Sequence, residues 1–488
     1  MRGFIKLISR IGPIGPVLLL ALLLRLWGID HGLPHVYSVD EPALVRSVLG
    51  LRFDLNPHHF DWPHFHFYFC YLFFVLLVKF RALLQVLNLR PVLEPLMPIF
   101  WQDPQIFYLQ VRIISALMGT ATVGLVYLVG RKLFDKKVGL LAAAFLAVYP
   151  FHNEISHFAV LEAPLTFWVT LSFLFSVLIL KHGRRRDYFL AGLFAGLAAS
   201  TKYNGALVVI PILAAHLLRI SPIGPIRPIL LAGLAAAGGF LAGTPFALLD
   251  RQLFLSHEPQ RGFLWQMTRV GAVSWSELPW VLWERLGVLV SGSGVALAAL
   301  SGLGIFLVLK NQRRKGLFLL SFPLVYFFYI ARLGYFNPHY FVPLAPFLSI
   351  LAAAGLWILF EKKVPLCSLV FLFFCFLLQP LFLSARSSFI LSQPDTRQVA
   401  ADWVEENIPR GAKIAQRGEY QPVLSGFELV GAHDLSAGWL EENKIAYVVV
   451  TSYAPTEQDR LGLTLVKEIL PHLQPGPTIL IYDKIKPR

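Results

Sequence analysis

The stretch LTFWVTLSFLFSVLILKHGRRRDYFLAGLFAGLAASTKYNGAL, residues 165–207, indicates the fold class of this chain. Two apolar runs lie on either side of the basic segment KHGRRRD, residues 181–187. A helix needs about 20 predominantly apolar residues to cross the hydrocarbon core of a bilayer. Short loops rich in lysine and arginine are typical of the cytoplasmic side. The stretch therefore predicts two membrane-spanning helices joined by a cytoplasmic loop.

The whole chain has the same character. Of its 488 residues, 56% are hydrophobic and only 15% are charged. This composition excludes a soluble globule and predicts a polytopic α-helical membrane protein. The formal net charge of +14 comes largely from short basic loops between apolar runs, such as KNQRRKG at residues 310–316. Because membrane topology accounts for these charges, we expect no nucleic-acid partner.

The apolar runs predict about eleven membrane-spanning helices, several of them short. With a cytoplasmic N-terminus, every basic loop falls on the cytoplasmic side, and an odd number of spans places the C-terminal region outside. We therefore expect a multi-pass protein of the cell membrane. The predicted spans lie near residues 12–28, 107–130, 138–151, 164–181, 188–201, 204–219, 229–248, 287–309, 316–332, 341–359 and 364–384.

Two regions lie outside this pattern. The first is a large outer loop at residues 29–106, which contains HFHFYFCYLFFVLLVKFRALLQVL. A twelfth span here would bring Lys79 and Arg81 to the outer side, so we predict amphipathic helices at the membrane interface. The second is residues 385–488, where an amphipathic segment, DTRQVAADWVEENIPRGAKIA, is followed by the strand-like KIAYVVVTSY and TILIYDKI. The chain thus divides into a transmembrane domain, 1–384, and a small extramembrane α/β domain.

An acidic pair, Asp40 and Glu41, follows the first apolar run in the segment YSVDEPALVR. A purely structural role is open, because acids and Pro42 suit the first turn of a helix. Other ionisable residues fall at the same predicted membrane face, namely Arg112, Glu162 and Lys202. Charged groups at membrane depth are costly and indicate function. These residues therefore predict a functional site at the outer face.

Several motifs around these residues resemble one known group. In chain order they are the acidic pair, LNPHHFDWPHFHF, VRIISAL, HFAVLEAP, GLAASTKYNG and HYFVPLAP. Together they resemble the GT-C-type membrane glycosyltransferases, specifically the protein O-mannosyltransferases and lipid A aminoarabinose transferases. This chain departs from their pattern in having Glu162 where aspartate is usual. It also has Trp62 near the position of a lysine in that family.

The resemblance implies a GT-C-like fold and transfer of a sugar from a polyprenyl-phosphate carrier to an acceptor hydroxyl, with the active site facing the extracytoplasmic side. The expected partners are the lipid-linked donor, a glycan, lipid or protein acceptor, and membrane lipids. Asp40 is the expected general base, with Glu41 as the other member of the catalytic pair. Lys202 and Arg112 are expected to contact the donor phosphate. The substrate-binding residues carried over are Arg112, His157, Glu162, Lys202, Tyr203, His339 and Tyr340.

Alternative functions and a metal remain open. A flippase for lipid-linked sugars would also need charges in a cavity, although it would usually show repeats or charges at the bilayer midplane. An inactive binding homologue is also open, because Glu162 departs from the family pattern. No cofactor is certain. A divalent metal is open, either at His64 and His66, which diverge if they lie on a helix, or at His257 with Asp61 or Glu41.

Overall fold

The chain is mainly α-helical, and its apolar runs form most of the helices. The computed structural model describes residues 12–38, 40–86, 105–219, 226–361, 366–418, 420–432, 435–452, 463–471 and 473–483. The helices up to residue 243 are α1 Gly15–Leu26, α2 Asp40–Gly50, α3 Phe65–Val86, α4 Gln105–Leu133, α5 Lys136–Ala147, α6 Pro150–Ile155, α7 Glu162–His182, α8 Arg185–Thr201, α9 Val209–Arg219 and α10 Arg227–Gly243.

After residue 243 the chain forms several short helices and then further long ones. Turns of 3₁₀ helix, Gly12–Ile14, Tyr203–Val208 and Pro338–Leu344, precede α1, α9 and α17. The remaining helices are α11 Phe246–Leu249, α12 Arg251–Phe254, α13 Phe263–Arg269, α14 Leu278–Ser293, α15 Val295–Asn311, α16 Arg313–Ala331, α17 Ala345–Glu361, α18 Leu366–Leu391, α19 Thr396–Asn407 and α20 Ala437–Glu442.

Among the described residues, four helices are long and apolar enough to cross a membrane. They are Gln105–Leu133, Glu162–His182, Arg313–Ala331 and Pro338–Glu361. The pair α14 and α15 adds a fifth if it is one broken span. Shorter apolar helices include Gly12–Leu26, Phe65–Leu76, Tyr203–Arg219 and Arg227–Gly243. The predicted class, a polytopic α-helical membrane protein, is confirmed, whereas the number of about eleven spans stays a prediction.

The predicted span at residues 287–309 is not one straight helix. It falls across the junction of α14 and α15, which are bent by 114°. Gly294 lies at the bend with φ +78°, in the left-handed region that favours glycine. The predicted interfacial region also differs in detail, since residues 65–86 form the single helix α3, whose Phe67, Cys70 and Phe74 are buried.

Small residues allow the long helices to pack closely. A Cβ atom on Gly196 would lie 2.1 Å from the carbonyl oxygen of Ala236 on α10. A Cβ atom on Gly355 of α17 would lie 2.4 Å from the Cα atom of Gly304 on α15. Such contacts are typical of membrane helices, whose association depends on close backbone approach. The pairs α8–α10 and α15–α17 are therefore each held at a spacing that only small residues permit.

The chain divides into two compact units. The first comprises Met1–Leu26 and Asp40–Arg386, and the second comprises Trp27–Val39 and Ser387–Arg488. In the second unit, α19 packs on a five-stranded sheet of order β2-β1-β3-β5-β4. β1 is parallel to β2 and β3, while β5 is antiparallel to β3 and β4. The predicted C-terminal α/β fold is confirmed. The strands are β1 Lys413–Arg417, β2 Glu428–Gly431, β3 Tyr447–Ser452, β4 Thr464–Ile469 and β5 Thr478–Asp483.

The segment Trp27–Val39 belongs to the second unit although it is distant from it in sequence. The Arg397 guanidinium lies 3.8 Å from the ring centroid of Tyr37 and donates to the Asp395 carboxylate. The Gln398 side chain donates to the carbonyl oxygen of Leu33 at 3.1 Å. Side-chain contacts from the start of α19 therefore hold this segment within the second unit.

Candidate active site

A cavity lies in the first unit where the ends of several helices meet. Its volume is about 140 Å³. The walls come from the start of α2, the start of α7, the end of α8 and the segments around residues 61–63, 266–270 and 329–340. Of the site residues predicted from sequence, the cavity brings together Asp40, Glu162, Lys202, Tyr203, His339 and Tyr340.

Asp40 is the first residue of α2 and is partly buried at the cavity wall. Burial raises the pKa of its carboxyl above the usual aspartate range, and the negative charge of Glu162 raises this pKa further. No described side chain donates a hydrogen bond to the Asp40 carboxylate. Asp40 therefore lines the cavity as a carboxylate that no side chain in the described ranges engages, and a proton acceptor needs such a carboxylate.

Glu162, Lys202, His339 and Tyr340 form one cluster in the cavity wall. The Lys202 ammonium donates to Glu162 Oε1. It also lies 4.1 Å from the ring centroid of Tyr340, within cation–π range. His339 Nε2 is 3.6 Å from the same Glu162 oxygen. Glu162 is 3% exposed, so its charge is balanced by the lysine and does not face the cavity alone.

Glu41 and Arg112 lie outside this cavity. Arg112 donates to both Glu41 oxygens at 2.8 Å, and the Ala159 amide donates to Glu41 Oε1 at 2.7 Å. Both side chains are 1% exposed. This ion pair joins α2 to α4 and to the chain before α7. A phosphate contact by Arg112 was expected, but its guanidinium is used within the protein, so its position favours a structural role.

His157 does not line the cavity either. It is fully buried, and its Nδ1 atom is 2.9 Å from the Asn153 carbonyl oxygen. Tyr203, in contrast, lines the cavity and donates from its hydroxyl to the Phe60 carbonyl oxygen at 2.7 Å. Its ring packs on Phe263 of α13, with centroids 4.7 Å apart. Tyr203 therefore joins the first outer loop to the segment that carries α13.

The histidines considered as metal ligands are engaged elsewhere. His64 Nε2 is 2.7 Å from the His59 carbonyl oxygen, and His66 Nε2 is 3.4 Å from Cys70 Sγ. Within the described ranges, no group of three or more His, Cys, Asp or Glu side chains is placed to hold a metal ion. His257 does not line the cavity, whereas Asp61 does.

Three cavity residues were not predicted from the sequence as substrate contacts. Arg269, at the end of α13, lines the cavity and donates to the Gln266 side chain at 2.8 Å. Its guanidinium is 4.7 Å from the ring centroid of Trp265. Asp61 and Trp62 line the cavity from the first outer loop. Arg269 lies in none of the motifs, so the sequence gives no signal for it. Asp61 and Trp62 lie in the motif LNPHHFDWPHFHF, but the resemblance assigns neither of them a substrate contact.

An apolar cleft of about 780 Å³ lies between α3, α4 and α7. The helix α7 connects it to the cavity, because Glu162 lines the cavity while Trp168 lines the cleft. Six helical residues correspond to about 9 Å along the axis. The cleft is lined by Phe69, Phe73, Leu76, Ile106, Leu109, Gln110, Ile113, Ile114, Leu117, Met118, Ala121, Phe167 and Trp168.

Comparisons with known proteins agree with this architecture. Residues 107–247 match the family described as dolichyl-phosphate-mannose-protein mannosyltransferase. The chain superposes on ArnT from Cupriavidus metallidurans bound to undecaprenyl phosphate with a TM-score of 0.56 and 14% identity, covering 97% of this chain and 99% of that one. It has the GT-C fold. The apo state of the same ArnT gives a TM-score of 0.57 at 14% identity, with 98% of each chain covered.

A third GT-C structure is similar over a smaller share of its length. It is the archaeal oligosaccharyltransferase AglB from Archaeoglobus fulgidus in complex with an inhibitory peptide and a dolichol-phosphate. The TM-score is 0.50 at 14% identity, covering 89% of this chain and 69% of AglB. No curated protein matches the chain in sequence. The GT-C-like fold implied by the motifs is confirmed by the superpositions on ArnT, and the family match over residues 107–247 agrees with the resemblance.

Proposed function

We propose that this GT-C protein is an integral-membrane glycosyltransferase that moves a sugar from a polyprenyl-phosphate carrier to an acceptor hydroxyl at the outer membrane face. The observation that carries the proposal is one cavity with an unengaged carboxylate, Asp40, and two cations, Lys202 and Arg269. A base for the hydroxyl proton and fixed positive charge for a leaving phosphate are the groups this reaction needs.

The reaction assigns a separate task to each group. The acceptor oxygen attacks the anomeric carbon of the sugar as Asp40 takes the hydroxyl proton. The new carbon–oxygen bond forms while the bond from the anomeric carbon to the phosphate oxygen breaks. The polyprenyl phosphate leaves with the bonding electron pair and gains negative charge. The raised pKa of Asp40 makes it a better proton acceptor than an ordinary aspartate.

Arg269 is our proposed main contact for the donor phosphate. Lys202 also faces the cavity, but Glu162 balances its charge. Among the described residues, Arg269 forms no ion pair with a carboxylate, and its hydrogen bond goes to the neutral amide of Gln266. A guanidinium binds phosphate through several N–H groups in a fixed geometry. Lys202 and Arg269 together would offset the charge that develops on the leaving phosphate.

The apolar cleft fits the lipid part of such a donor. Its walls are almost wholly hydrophobic side chains from α3, α4 and α7. A polyprenyl chain in this cleft would run along α7 toward the cavity, where its phosphate would meet the charged groups. This arrangement also supports ArnT-like and AglB-like use of a polyprenyl phosphate, since those structures contain undecaprenyl phosphate and dolichol-phosphate.

The placement at the outer face rests on helix direction. Glu162 begins α7, whose other end carries Lys181. Lys202 follows α8, whose other end carries arginines such as Arg185. The cavity and the basic loops therefore lie at opposite ends of these helices. Because basic loops are typical of the cytoplasm, this supports a cavity that opens to the outside.

Transfer assays with Asp40→Asn test the function. Asparagine keeps the size of the side chain and can still begin the helix, so the variant should fold. We expect sugar transfer from the lipid donor to fall roughly 10²–10⁴-fold, the usual contribution of a positioned base. Mass spectrometry of cells that lack the protein should show one polyprenyl-phosphate sugar accumulating. The wild-type gene should restore its normal level, and the Asp40→Asn gene should not.

Two outcomes would contradict the proposal. If no lipid-linked sugar changes in cells that lack the protein, the donor class is wrong. If Asp40→Asn restores the normal lipid level at matched expression, Asp40 is not the base. That second result would favour the flippase reading, because transport of a lipid-linked sugar needs no proton acceptor.

A further inference from the structure

Ser47, His59 and Asp61 form a hydrogen-bonded chain that ends at the cavity. His59 Nδ1 is 2.6 Å from Asp61 Oδ1, and His59 Nε2 is 3.0 Å from Ser47 Oγ. Ser47 Oγ is also 2.9 Å from the Ala43 carbonyl oxygen. Asp61 lines the cavity, whereas Ser47 lies within α2. The proposed transfer reaction assigns no role to these residues.

The hydrogen bonds fix how Asp61 is held. An ionised carboxylate only accepts hydrogen bonds, so His59 Nδ1 must carry the hydrogen and donate a hydrogen bond to Asp61. The Ser47 hydroxyl then either donates to His59 Nε2 or accepts from it while donating to Ala43. Both arrangements keep Nδ1–H directed at Asp61 Oδ1. No described residue donates to the other Asp61 oxygen, Oδ2.

The backbone around this carboxylate is also held firmly. The Phe60 amide donates to the Arg261 carbonyl oxygen, and the Phe60 carbonyl accepts from the Tyr203 hydroxyl at 2.7 Å. The His59 carbonyl oxygen lies 2.7 Å from His64 Nε2. Side chains that are locked by such supporting contacts are suited to hold a substrate in one orientation. Asp61 is therefore a preorganised hydrogen-bond acceptor on the cavity wall.

We propose that Asp61, oriented by His59, binds the hydroxyl groups of the donor sugar. This inference rests on the proposed function, in which the sugar lies between the acceptor at Asp40 and the phosphate at Arg269. A carboxylate repels phosphate and accepts hydrogen bonds from hydroxyls, so the sugar is the part of the donor that it suits. Trp62 also lines the cavity, and the apolar face of an aromatic ring suits the C–H face of a sugar. His59 is a positioning residue.

The test compares lipids with and without a sugar. Purified full-length protein in nanodiscs is titrated with dolichyl phosphate, dolichyl-phosphate-mannose and dolichyl-phosphate-glucose. The measured quantity is the ratio of Kd for the bare lipid to Kd for each sugar-bearing lipid. The wild-type protein gives one ratio for each of the two sugar-bearing lipids. We expect Asp61→Asn to reduce the larger of these two ratios by about 10-fold or more, as for loss of a hydrogen bond to a charged group. Its affinity for bare dolichyl phosphate should not weaken, because a negative charge has been removed.

The same loop provides a matched control. Asp54 pairs with His58 at 2.7 Å, but both side chains are more than half exposed and neither lines the cavity. Asp54→Asn should leave both affinities unchanged. His59→Ala should lower the ratio by a smaller factor than Asp61→Asn, and Asp61→Glu should retain part of it. Thermal unfolding of each variant checks that the protein is folded.

The outcomes separate this inference from the proposed function. If the wild-type protein binds none of the lipids, the proposed function fails, and this inference with it. If it binds bare dolichyl phosphate as tightly as both sugar-bearing lipids, the sugar contact is refuted while the lipid donor class stands. If folded Asp61→Asn keeps the wild-type ratio, Asp61 does not bind the sugar.

Discussion

Arg269 is the cation of the cavity wall that no sequence motif marks. We expect Arg269→Gln to weaken the binding of a polyprenyl phosphate by about 1.5–3 kcal/mol, the range for a hydrogen bond to a charged group. Isothermal titration of the purified protein with dolichyl phosphate measures this change. Arg251→Gln is the control, since Arg251 is exposed in the same outer region and does not line the cavity. Equal affinities of Arg269→Gln and the wild type would remove Arg269 from the phosphate site.

Asp40 should reduce the stability of the protein at neutral pH. Burial, and then the charge of Glu162, raises the pKa of Asp40 in the folded state. The folded protein therefore binds the Asp40 proton more tightly than the unfolded chain, and stability falls as the pH rises from the unfolded pKa through the folded one. We expect Asp40→Asn to raise the thermal unfolding midpoint at pH 7, with the difference disappearing below about pH 4. A lower midpoint at pH 7 would contradict this.

Asp54 provides a control, because its pKa is shifted in the direction opposite to that of Asp40. The backbone amide of Asn56 and the side chain of His58 donate to its carboxylate and lower its pKa. A lowered folded pKa contributes stability that is present above the unfolded pKa and is lost in acid. Asp54→Asn should therefore leave the midpoint at pH 7 unchanged or slightly lower, because the group is exposed and its interactions are screened.

The sequence motifs locate the charged residues of the site but do not show which charged groups pair with one another. The motifs located Asp40, Glu162 and Lys202, because each sits beside an apolar run at the same predicted face. They did not reveal that Arg112 pairs with Glu41, which lies 71 residues away. A guanidinium near a membrane surface has the same sequence signature whether it faces a ligand or a buried carboxylate. Only the packing of α2 on α4 decides between them.

At the scale of elements, adjacent glycines of α10 make opposite predictions. A Cβ atom on Gly239 would lie 2.5 Å from the Leu193 carbonyl oxygen on α8, whereas one on Gly238 would meet nothing within 4 Å. Gly239→Ala should force the helices apart and destabilise the protein by about 1–3 kcal/mol. Gly238→Ala should not destabilise it, because alanine is the better helix former. Thermal unfolding in detergent compares the two variants, and equal midpoints would show that α8 and α10 tolerate a wider spacing.

The bend between α14 and α15 shows that the pattern of apolar residues does not predict the direction of a helix. Hydropathy detects that residues 287–309 are apolar, but it carries no information on the path of the chain. Glycine also occurs in the interior of helices of this protein, such as Gly302 and Gly304 in α15. Gly294 differs from these glycines in its φ of +78°. That angle is a property of the folded structure and not of the local sequence. The sequence thus predicted an apolar element but not its break.

At the scale of the whole molecule, the sequence predicted the helical membrane class and the C-terminal α/β fold because both depend on long composition patterns. It did not predict that Trp27–Val39 would join the second unit. That association rests on single contacts, such as Arg397 on Tyr37 and Gln398 on Leu33. Contacts of this kind leave no periodic signal in the sequence.

The orientation of the whole molecule is the last property open to a direct test. The basic loops and the cavity lie at opposite ends of α7 and α8, so a cavity that opens outside requires the basic loops to be cytoplasmic. Reporter fusions after Lys137, Arg186 and Lys315 should then be active only as cytoplasmic reporters. A fusion after Arg397, in the second unit, should be active only as an extracytoplasmic reporter. A cytoplasmic signal after Arg397 would place the second unit on the inner side and break the proposed topology. If the three loops report the cytoplasm and Arg397 does so too, the loops keep their predicted side. The number of spans between Lys315 and Arg397 is then what must be revised.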